Sequence, residues 1–399
     1  MKAYDAPCKR RDFLKKLGLL SGIAAGSVAV PGLPGFGPPG PGPSGSALAQ
    51  AGSEGSFRPQ DAALKEALFY KKHAEMEVEC ELCPKNCKVG DIERGYCGVR
   101  ENRSGVYYSL VYARPCAVHV DPIEKKPLFH FLPGTSAFSI GTAGCNMDCK
   151  FCQNWEMSQA RPEQTRNYLL EPRELVQNAR QTNSASIAFT YSEPAVVAFE
   201  YMLDSAREGN KENVRTVMIS NGYINREPML EALKHLGAVK IDLKAFTEKY
   251  YKEICDATLK PVLDVLLLLA KSGVWYEIVY LVLPTLNDSD SELTSMSRWV
   301  KRELGPDVPL HFSRFYPTYK MKRLPQTPNS TLERARNIAR SAGLNYVYIG
   351  NVPGHEGEST YCPACDRPVI RRAGYSILER NISNGKCVQC GQKIPGIWR

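Results

Sequence analysis

Residues 137–152 read AFSIGTAGCNMDCKFC and join a short apolar run to a loop that carries three closely spaced cysteines. Residues 137–141 have the length and composition of a buried strand. From Ser136 onward, similar runs alternate with amphipathic helical patterns, which predicts a parallel sheet with right-handed crossovers. We therefore expect an α/β fold, a partial (β/α)6 barrel of the TIM type, whose functional residues follow the carboxyl ends of the strands.

The strands and helices of this region are predicted at regular intervals. The predicted strands span residues 137–141, 186–191, 215–220, 239–244, 275–283, 310–315 and 346–349. The helices between them are predicted to begin near Glu171, Ala195, Glu227, Thr247, Asp288 and Thr331. Before this region, a helical stretch is predicted around residues 61–79 and a β-rich connector around residues 105–120.

The composition is that of a large globular protein. The chain has 399 residues, of which 43% are hydrophobic and 23% are charged, so it can build a sizeable core and is neither disordered nor fibrous. The formal net charge is +9, but the first fifty residues hold six Lys and Arg against two Asp. The rest of the chain is only mildly basic, and its charge does not by itself indicate nucleic-acid binding.

The first fifty residues have the pattern of an export signal. Residues 9–15, KRRDFLK, contain a twin-arginine pair, and an apolar run over residues 17–30 and a small-residue site at 47–49 follow in that order. The run is too short to span a bilayer, and no later stretch is long and uncharged enough to do so. We predict a Tat signal and export to the periplasm or cell envelope, with a cytoplasmic location if the signal is inefficient; a basic, disordered tail is the alternative.

The fourteen cysteines fall into three groups, with Cys8, Cys116 and Cys255 outside them. The central group, Cys145, Cys149 and Cys152, has C-x3-C-x2-C spacing on the loop after the first barrel strand. Three thiolates on one loop can hold three irons of a [4Fe-4S] cluster and leave the fourth iron open to a substrate. A zinc loop is the alternative, but no fourth cysteine or histidine follows nearby to close a tetrahedral site.

The N-terminal group also predicts a metal. Its members are Cys80, Cys83, Cys87 and Cys97. Four thiolates within eighteen residues can close a structural zinc site or hold a second iron-sulfur cluster, and the spacing does not choose between them.

The C-terminal group consists of two C-x2-C pairs. Its members are Cys362, Cys365, Cys387 and Cys390. This spacing predicts a zinc ribbon. We expect its role to be structural, since the basic residues around it form no stripe interleaved with aromatic residues of the kind that binds nucleic acid. The chain is thus predicted to comprise the signal and linker (1–50), a Cys-rich segment (51–134), the barrel (135–353) and the ribbon-like module (354–399).

The cysteine triad after the first barrel strand resembles that of the radical S-adenosylmethionine (SAM) superfamily. The resemblance implies that SAM binds the open iron through its amino and carboxylate groups. It also implies that Glu193, in the turn TYSEP after the second strand, accepts the SAM ammonium, although this turn lacks the double glycine usual in the superfamily. The other cofactor-binding positions that it implies are Ser220, Asn221, Asp242, Lys244 and His311.

The resemblance extends over residues 75–399. Within this span the chain resembles the pyruvate formate-lyase activating enzymes and, more closely, the AmmeMemoRadiSam system radical SAM enzymes. The resemblance rests on residues 121–131 (DPIEKKPLFHF), the N-terminal cysteines, residues 346–353 and the ribbon. From its residues alone, the charged run at 121–131 is equally well explained as a solvent-exposed face with no functional role.

The resemblance implies a reaction. An electron donor such as flavodoxin or ferredoxin would reduce the cluster, and SAM would be cleaved to a 5'-deoxyadenosyl radical that abstracts hydrogen from an unidentified protein or small molecule. Glycyl-radical activation of a partner protein is one reaction of this kind. The alternative is a non-catalytic iron-sulfur or zinc protein that transfers electrons or binds a partner. Nucleic-acid binding through the ribbon is the least favoured reading.

Overall fold

The computed structural model describes residues 64–399. The predicted Tat signal and linker, and the start of the helix predicted at 61–79, lie outside these residues. Within them, no helix is long and apolar enough to cross a membrane. The division into four parts stays a prediction.

The segment before the barrel is built of small antiparallel sheets. Its strands are β1 (Lys65–Glu66), β2 (Tyr70–Lys72), β3 (Val78–Cys80), β4 (Lys88–Val89), β5 (Arg100–Arg103) and β6 (Val106–Ser109). β2, β3 and β4 form one sheet, and β1, β6 and β5 form another.

The helix predicted over residues 61–79 is wrong within the described part of the chain. Tyr70 pairs with Cys80 across an antiparallel hairpin, and Glu75 and Met76 have positive φ angles in its turn. Helix-favouring Lys, Glu and Ala predicted the helix, but pairing between strands overrides so weak a local preference.

The main sheet contains eight strands. They are β7 (Ala117–Pro122), β8 (Ser136–Gly141), β9 (Ser184–Phe189), β10 (Arg215–Ser220), β11 (Ala238–Asp242), β12 (Trp275–Val282), β13 (Leu310–Arg314) and β14 (Val347–Gly350). β7 is antiparallel to β8, and β8 to β14 are parallel neighbours in chain order. β7 and β14 are the two edges and do not pair with each other, so the barrel is not closed. The sheet is a partial barrel, as predicted.

Helices connect the parallel strands. They are α1 (Trp155–Ser158), α2 (Pro172–Gln181), α3 (Phe199–Lys211), α4 (Arg226–Leu233), α5 (Glu248–Tyr250), α6 (Leu259–Ser272), α7 (Asp290–Leu304) and α8 (Asn329–Ser341). Short 3-10 turns occur at Ala74–Met76, Ile123–Lys125, Pro162–Gln164, Tyr319–Met321 and Glu356–Glu358, and a π-helical turn at Tyr251–Cys255. The six crossovers from β8 to β14 each contain one of the helices α2, α3, α4, α6, α7 and α8, which matches the predicted (β/α)6 pattern.

The C-terminal part lies against the amino ends of the barrel strands. Its strands are β15 (Thr360–Tyr361), β16 (Pro368–Ala373), β17 (Ser376–Arg380), β18 (Ile382–Ser383) and β19 (Lys386–Cys387). Arg372 donates to the carbonyl oxygen of Phe129 at 2.8 Å, and the backbone N–H of Ile397 donates to the carbonyl oxygen of His130 at 2.7 Å. The opposite end of the barrel, where the strands end, carries a cavity that Tyr375 of the C-terminal part also lines.

A buried ion pair ties the N-terminal segment to the barrel. Arg100 of β5 donates to both carboxylate oxygens of Glu200 on α3, at 3.0 and 2.6 Å, and to the carbonyl oxygen of Val196. Both charged side chains are almost completely buried. Each charge therefore depends on the other, since neither can be hydrated in the folded protein.

We predict that Arg100→Met lowers the free energy of unfolding by about 3–5 kcal/mol, because it leaves the Glu200 carboxylate buried and unpaired. The double variant Arg100→Met/Glu200→Leu should recover much of that loss. Arg180→Met is the control, since it breaks an exposed pair with Glu212 and should cost less than about 1 kcal/mol. Denaturant unfolding measures all three; equal losses in the single and double variants would contradict the prediction.

Candidate active site

The cysteine loop begins at a tight contact with the N-terminal segment. Gly144 has a φ of +92°, and a Cβ there would lie 2.6 Å from Cγ1 of Val99 and 2.8 Å from the carbonyl oxygen of Cys97. Only glycine meets both the backbone angle and the close approach. This contact sets where the loop leaves β8.

The π-helical turn before α6 holds the other end of the loop. The backbone N–H of Asp148 donates to the carbonyl oxygen of Cys255 at 3.1 Å, and the backbone N–H of Lys150 donates to the carbonyl oxygen of Ile254 at 3.0 Å. The Cys255 thiol lies beside Cys149 and is the main reason that the pKa of Cys149 is lowered. Spacing left Cys255 outside every cysteine group, so sequence reasoning missed this contact.

The three thiols of the triad line one cavity of about 440 Å³ at the carboxyl ends of the strands. Cys145, Cys149 and Cys152 are the cysteines among the described residues that line it. Three thiolates with no fourth one on the cavity wall are the donor set of a cluster that keeps one iron open. The residues therefore fit a [4Fe-4S] cluster of that kind.

Glu193 is fixed beside the triad by three hydrogen bonds. Ser220 Oγ donates to its carboxylate at 2.7 Å, the backbone N–H of Asn221 at 2.6 Å, and that of Ala195 at 3.1 Å. Burial raises the pKa of Glu193 to about 7, although these three donors oppose the shift. Glu193 lines the cavity, while Ser220 lies behind it and acts through the carboxylate.

Asn221 joins this carboxylate to the cysteine loop. Its side-chain amide donates to Oδ1 of Asn146 at 2.9 Å and lies 4.0 Å from the Cys145 sulfur. The strand end that bonds Glu193 therefore also positions the first cysteine of the triad.

Three charged side chains of β11 and the residues after it enter the cavity together. Lys240, Asp242 and Lys244 alternate along the chain and so share one face. Asp242 pairs with Lys240 and, at 3.5 Å, with Lys244. Burial would raise the pKa of Asp242, but both lysines outweigh it and the pKa is lowered. Sequence reasoning missed Lys240, although the period of two was visible.

The structure does not bring His311 to the cavity. Its Nε2 lies 2.7 Å from Oε2 of Glu277, and its ring packs against Phe129 near the amino ends of β12 and β13. Ser313, two residues further along β13, lines the cavity instead. The predicted residue has the right face of the strand but lies one step too deep in the barrel.

A second charged group borders the same cavity, with Lys125, Lys126 and Tyr191 on its wall and Asp121 behind them. Asp121 accepts from Lys126 at 2.6 Å, from Lys125 at 2.9 Å and from Tyr191 at 2.5 Å. Lys126 is only 2% exposed, and burial lowers its pKa to about 8. The charged run of residues 121–131 is thus in part a cavity wall and not simply a solvated face.

The C-terminal cysteines have the spacing of a single-metal site. Their four sulfurs all lie within 4.8 Å of one another, with 3.5 Å between Cys362 and Cys390 and 3.9 Å between Cys365 and Cys387. A tetrahedral zinc with bonds of about 2.3 Å separates its sulfurs by about 3.8 Å. These four residues therefore could hold one such ion.

Known proteins are similar to this chain in sequence. Residues 139–295 match the radical SAM superfamily. An uncharacterized protein of Methanocaldococcus jannaschii is 44% identical over 333 residues, which are 83% of this chain and 99% of that protein. Pyruvate formate-lyase 1-activating enzyme of Escherichia coli is 22% identical over 222 residues, 51% of this chain and 89% of the enzyme.

Among solved structures, a domain of a pyruvate-formate lyase-activating enzyme from Bacteroides vulgatus is similar, with a TM-score of 0.37 and 14% identity over 41% of this chain and 98% of that domain. The matched superfamily region begins in β8 and includes the cysteine triad, Glu193 and the β11 charges. The chain therefore belongs to the radical SAM superfamily, as the triad after the first barrel strand predicts.

Proposed function

We propose that this cavity binds SAM beside a [4Fe-4S] cluster held by Cys145, Cys149 and Cys152, and that the chain cleaves SAM reductively. When bound, the cluster and SAM together supply a 5'-deoxyadenosyl radical able to abstract hydrogen from a substrate. Superfamily membership supports catalysis. The observation that carries the proposal is the convergence of three thiols, and no fourth from the described residues, on one cavity with buried charged groups.

The residues around the triad would bind and orient SAM. Glu193, already held by three donors, would accept the SAM ammonium, whose positive charge favours the carboxylate form despite the burial that raises its pKa to about 7. Lys244 is cationic, since Asp242 beside it raises its pKa well above the usual value although burial opposes this, and it suits the SAM carboxylate. Asp242 and Asn221 offer acceptors and donors for the ribose. His311 is left out of this set.

The substrate would enter from the wall formed by Lys125, Lys126 and Tyr191. We propose an unidentified protein or small molecule, with glycyl-radical activation of a partner protein as one candidate reaction, supported by relatives at 22–25% identity that are named as pyruvate formate-lyase activating enzymes. The closer resemblance to AmmeMemoRadiSam system enzymes stays a prediction. A flavodoxin- or ferredoxin-type donor would supply the electron. The non-catalytic alternative is not favoured.

The remaining predicted features complete the proposal. We propose zinc at the C-terminal cysteines, supported by their sulfur spacing. We also propose that residues 1–50 direct export of the folded protein. Cell fractionation tests the second point, and recovery of the uncleaved protein in the cytoplasm would show an inefficient signal.

We predict that the anaerobically reconstituted and reduced protein produces 5'-deoxyadenosine from SAM, and that Cys145→Ala abolishes this, because the triad then lacks one iron ligand. Cys116→Ala is the matched control, a cysteine outside the three groups that should keep the activity. Chromatographic assay of the nucleoside decides the matter. A loaded wild-type cluster that neither binds nor cleaves SAM would instead support electron transfer.

We predict that Glu193→Gln weakens SAM binding about tenfold to hundredfold, because a charge-assisted hydrogen bond is replaced by a neutral one. The iron content should stay unchanged, since Glu193 is not a ligand. Calorimetric or spectroscopic titration with SAM measures the affinity, with Glu212→Gln, an exposed carboxylate, as the control. Equal affinities of the wild-type protein and Glu193→Gln would remove this assignment.

A further inference from the structure

The four N-terminal cysteines come together on three neighbouring turns. Cys80 ends β3, and its backbone N–H donates to the carbonyl oxygen of Cys87 at 2.9 Å. The backbone N–H of Tyr96 donates to the Cys87 sulfur at 3.4 Å, which places Cys97 beside it. Cys83 lies in the turn between Cys80 and Cys87, with its carbonyl oxygen accepting from Asn86.

The four thiols are withdrawn from solvent. Cys80 and Cys83 are buried, and Cys87 and Cys97 are half-buried. Four cysteines gathered in this way from neighbouring turns are typical of a metal centre.

The spacing of the sulfurs distinguishes the two kinds of metal. In a zinc site, four sulfurs surround one ion and lie about 3.8 Å apart. In a [4Fe-4S] cluster each thiolate binds a different iron at a corner of a cube, so the sulfurs lie further apart. Within residues 64–399, the C-terminal cysteines meet the tighter criterion, whereas no three sulfurs of the N-terminal group lie within 4.8 Å of one another.

We propose that Cys80, Cys83, Cys87 and Cys97 hold a second [4Fe-4S] cluster, and that electrons reach the triad cluster through it. The first part rests on the sulfur spacing alone. The second part rests also on the proposed function, since a relay needs a cluster at the triad to receive the electron.

The two cysteine sites are in direct contact. Cys97 and Cys145 line the same open cleft of about 870 Å³. Gly144 packs against the carbonyl oxygen of Cys97, as described above. Asn146, which follows Cys145 in the chain, accepts a hydrogen bond from Asn221, whose amide lies 4.0 Å from the Cys145 sulfur. The contact of Gly144 with Cys97, and the peptide bond from Gly144 to Cys145, therefore join the two sites by a short path.

The relay is balanced for one electron. A reduced flavodoxin- or ferredoxin-type donor is oxidised by one electron as the N-terminal cluster is reduced. The same electron then passes to the triad cluster, and the N-terminal cluster returns to its oxidised state. No proton or group transfer is needed.

Metal analysis of the triple variant Cys145→Ala/Cys149→Ala/Cys152→Ala tests the identity of the metal, because it leaves the N-terminal site intact. We expect about four irons and four sulfides per chain, against about eight of each in the wild-type protein and in the Cys116→Ala control. The reduced triple variant should give an electron paramagnetic resonance signal that SAM does not change. A triple variant with no iron and two zinc ions per chain would overturn the inference.

The double variant Cys87→Ser/Cys97→Ala tests the relay, since it removes the two less buried ligands. We expect dithionite to reduce its triad cluster as in the wild-type protein, while a reduced flavodoxin should do so at least about tenfold more slowly. Rapid-freeze paramagnetic resonance follows the reduced cluster without relying on SAM cleavage. Equal rates with flavodoxin would overturn the relay, even where the iron count upholds the second cluster.

The two parts of the account fail separately. Iron in the triple variant, together with a wild-type protein that does not cleave SAM, would refute the proposed function and leave the second cluster standing. SAM cleavage by a wild-type protein with only four irons would refute the second cluster and leave the proposed function standing.

Discussion

The loop of residues 144–152 is held from three sides, and the rest of the site depends on that placement. β8 sets where the loop begins, the tight contact of Gly144 with Cys97 and Val99 fixes its direction, and the π-helical turn ending at Cys255 holds its far end. Three thiols on one loop can leave an iron open only if no other ligand approaches from the cavity side. The loop meets that requirement, because no fourth cysteine of the described residues lines the cavity. A rigid loop at the mouth of a barrel also lets groups from several strand ends converge on the same place.

Around this loop the chain buries charges that a purely structural core would avoid. Glu193, the group of Lys240, Asp242 and Lys244, and the pair of Arg100 and Glu200 are all paired or hydrogen-bonded within the protein. Such pairs contribute little net stability, because desolvation offsets most of their attraction. Their concentration at the carboxyl ends of the strands is therefore best explained by what they bind. The Arg100 pair differs in role, since it fastens the N-terminal cysteine segment to α3.

The barrel can be predicted from sequence because its parallel strands are buried on both faces and read as apolar runs, as in residues 215–220. All seven predicted strands are present, with ends shifted by a residue or two. The hairpin that replaces the helix at 61–79 could not be found this way, since its Lys, Glu and Ala residues favour a helix locally and strand pairing overrides that weak preference. His311 shows a third limit: a period of two gives the face of a strand, but depth in the barrel depends on register with the neighbouring strands. Cys255 and Asn146 carry no signal in spacing at all.

The account depends on an iron that is open to SAM. Electron–nuclear double resonance on the reduced protein, with SAM carrying a magnetic nitrogen isotope in its amino group, tests this most directly. The account predicts hyperfine coupling between that nitrogen and the cluster, present in the wild-type protein and absent when the three triad cysteines are replaced. A triad cluster that is reduced normally and shows no coupling to SAM would contradict it.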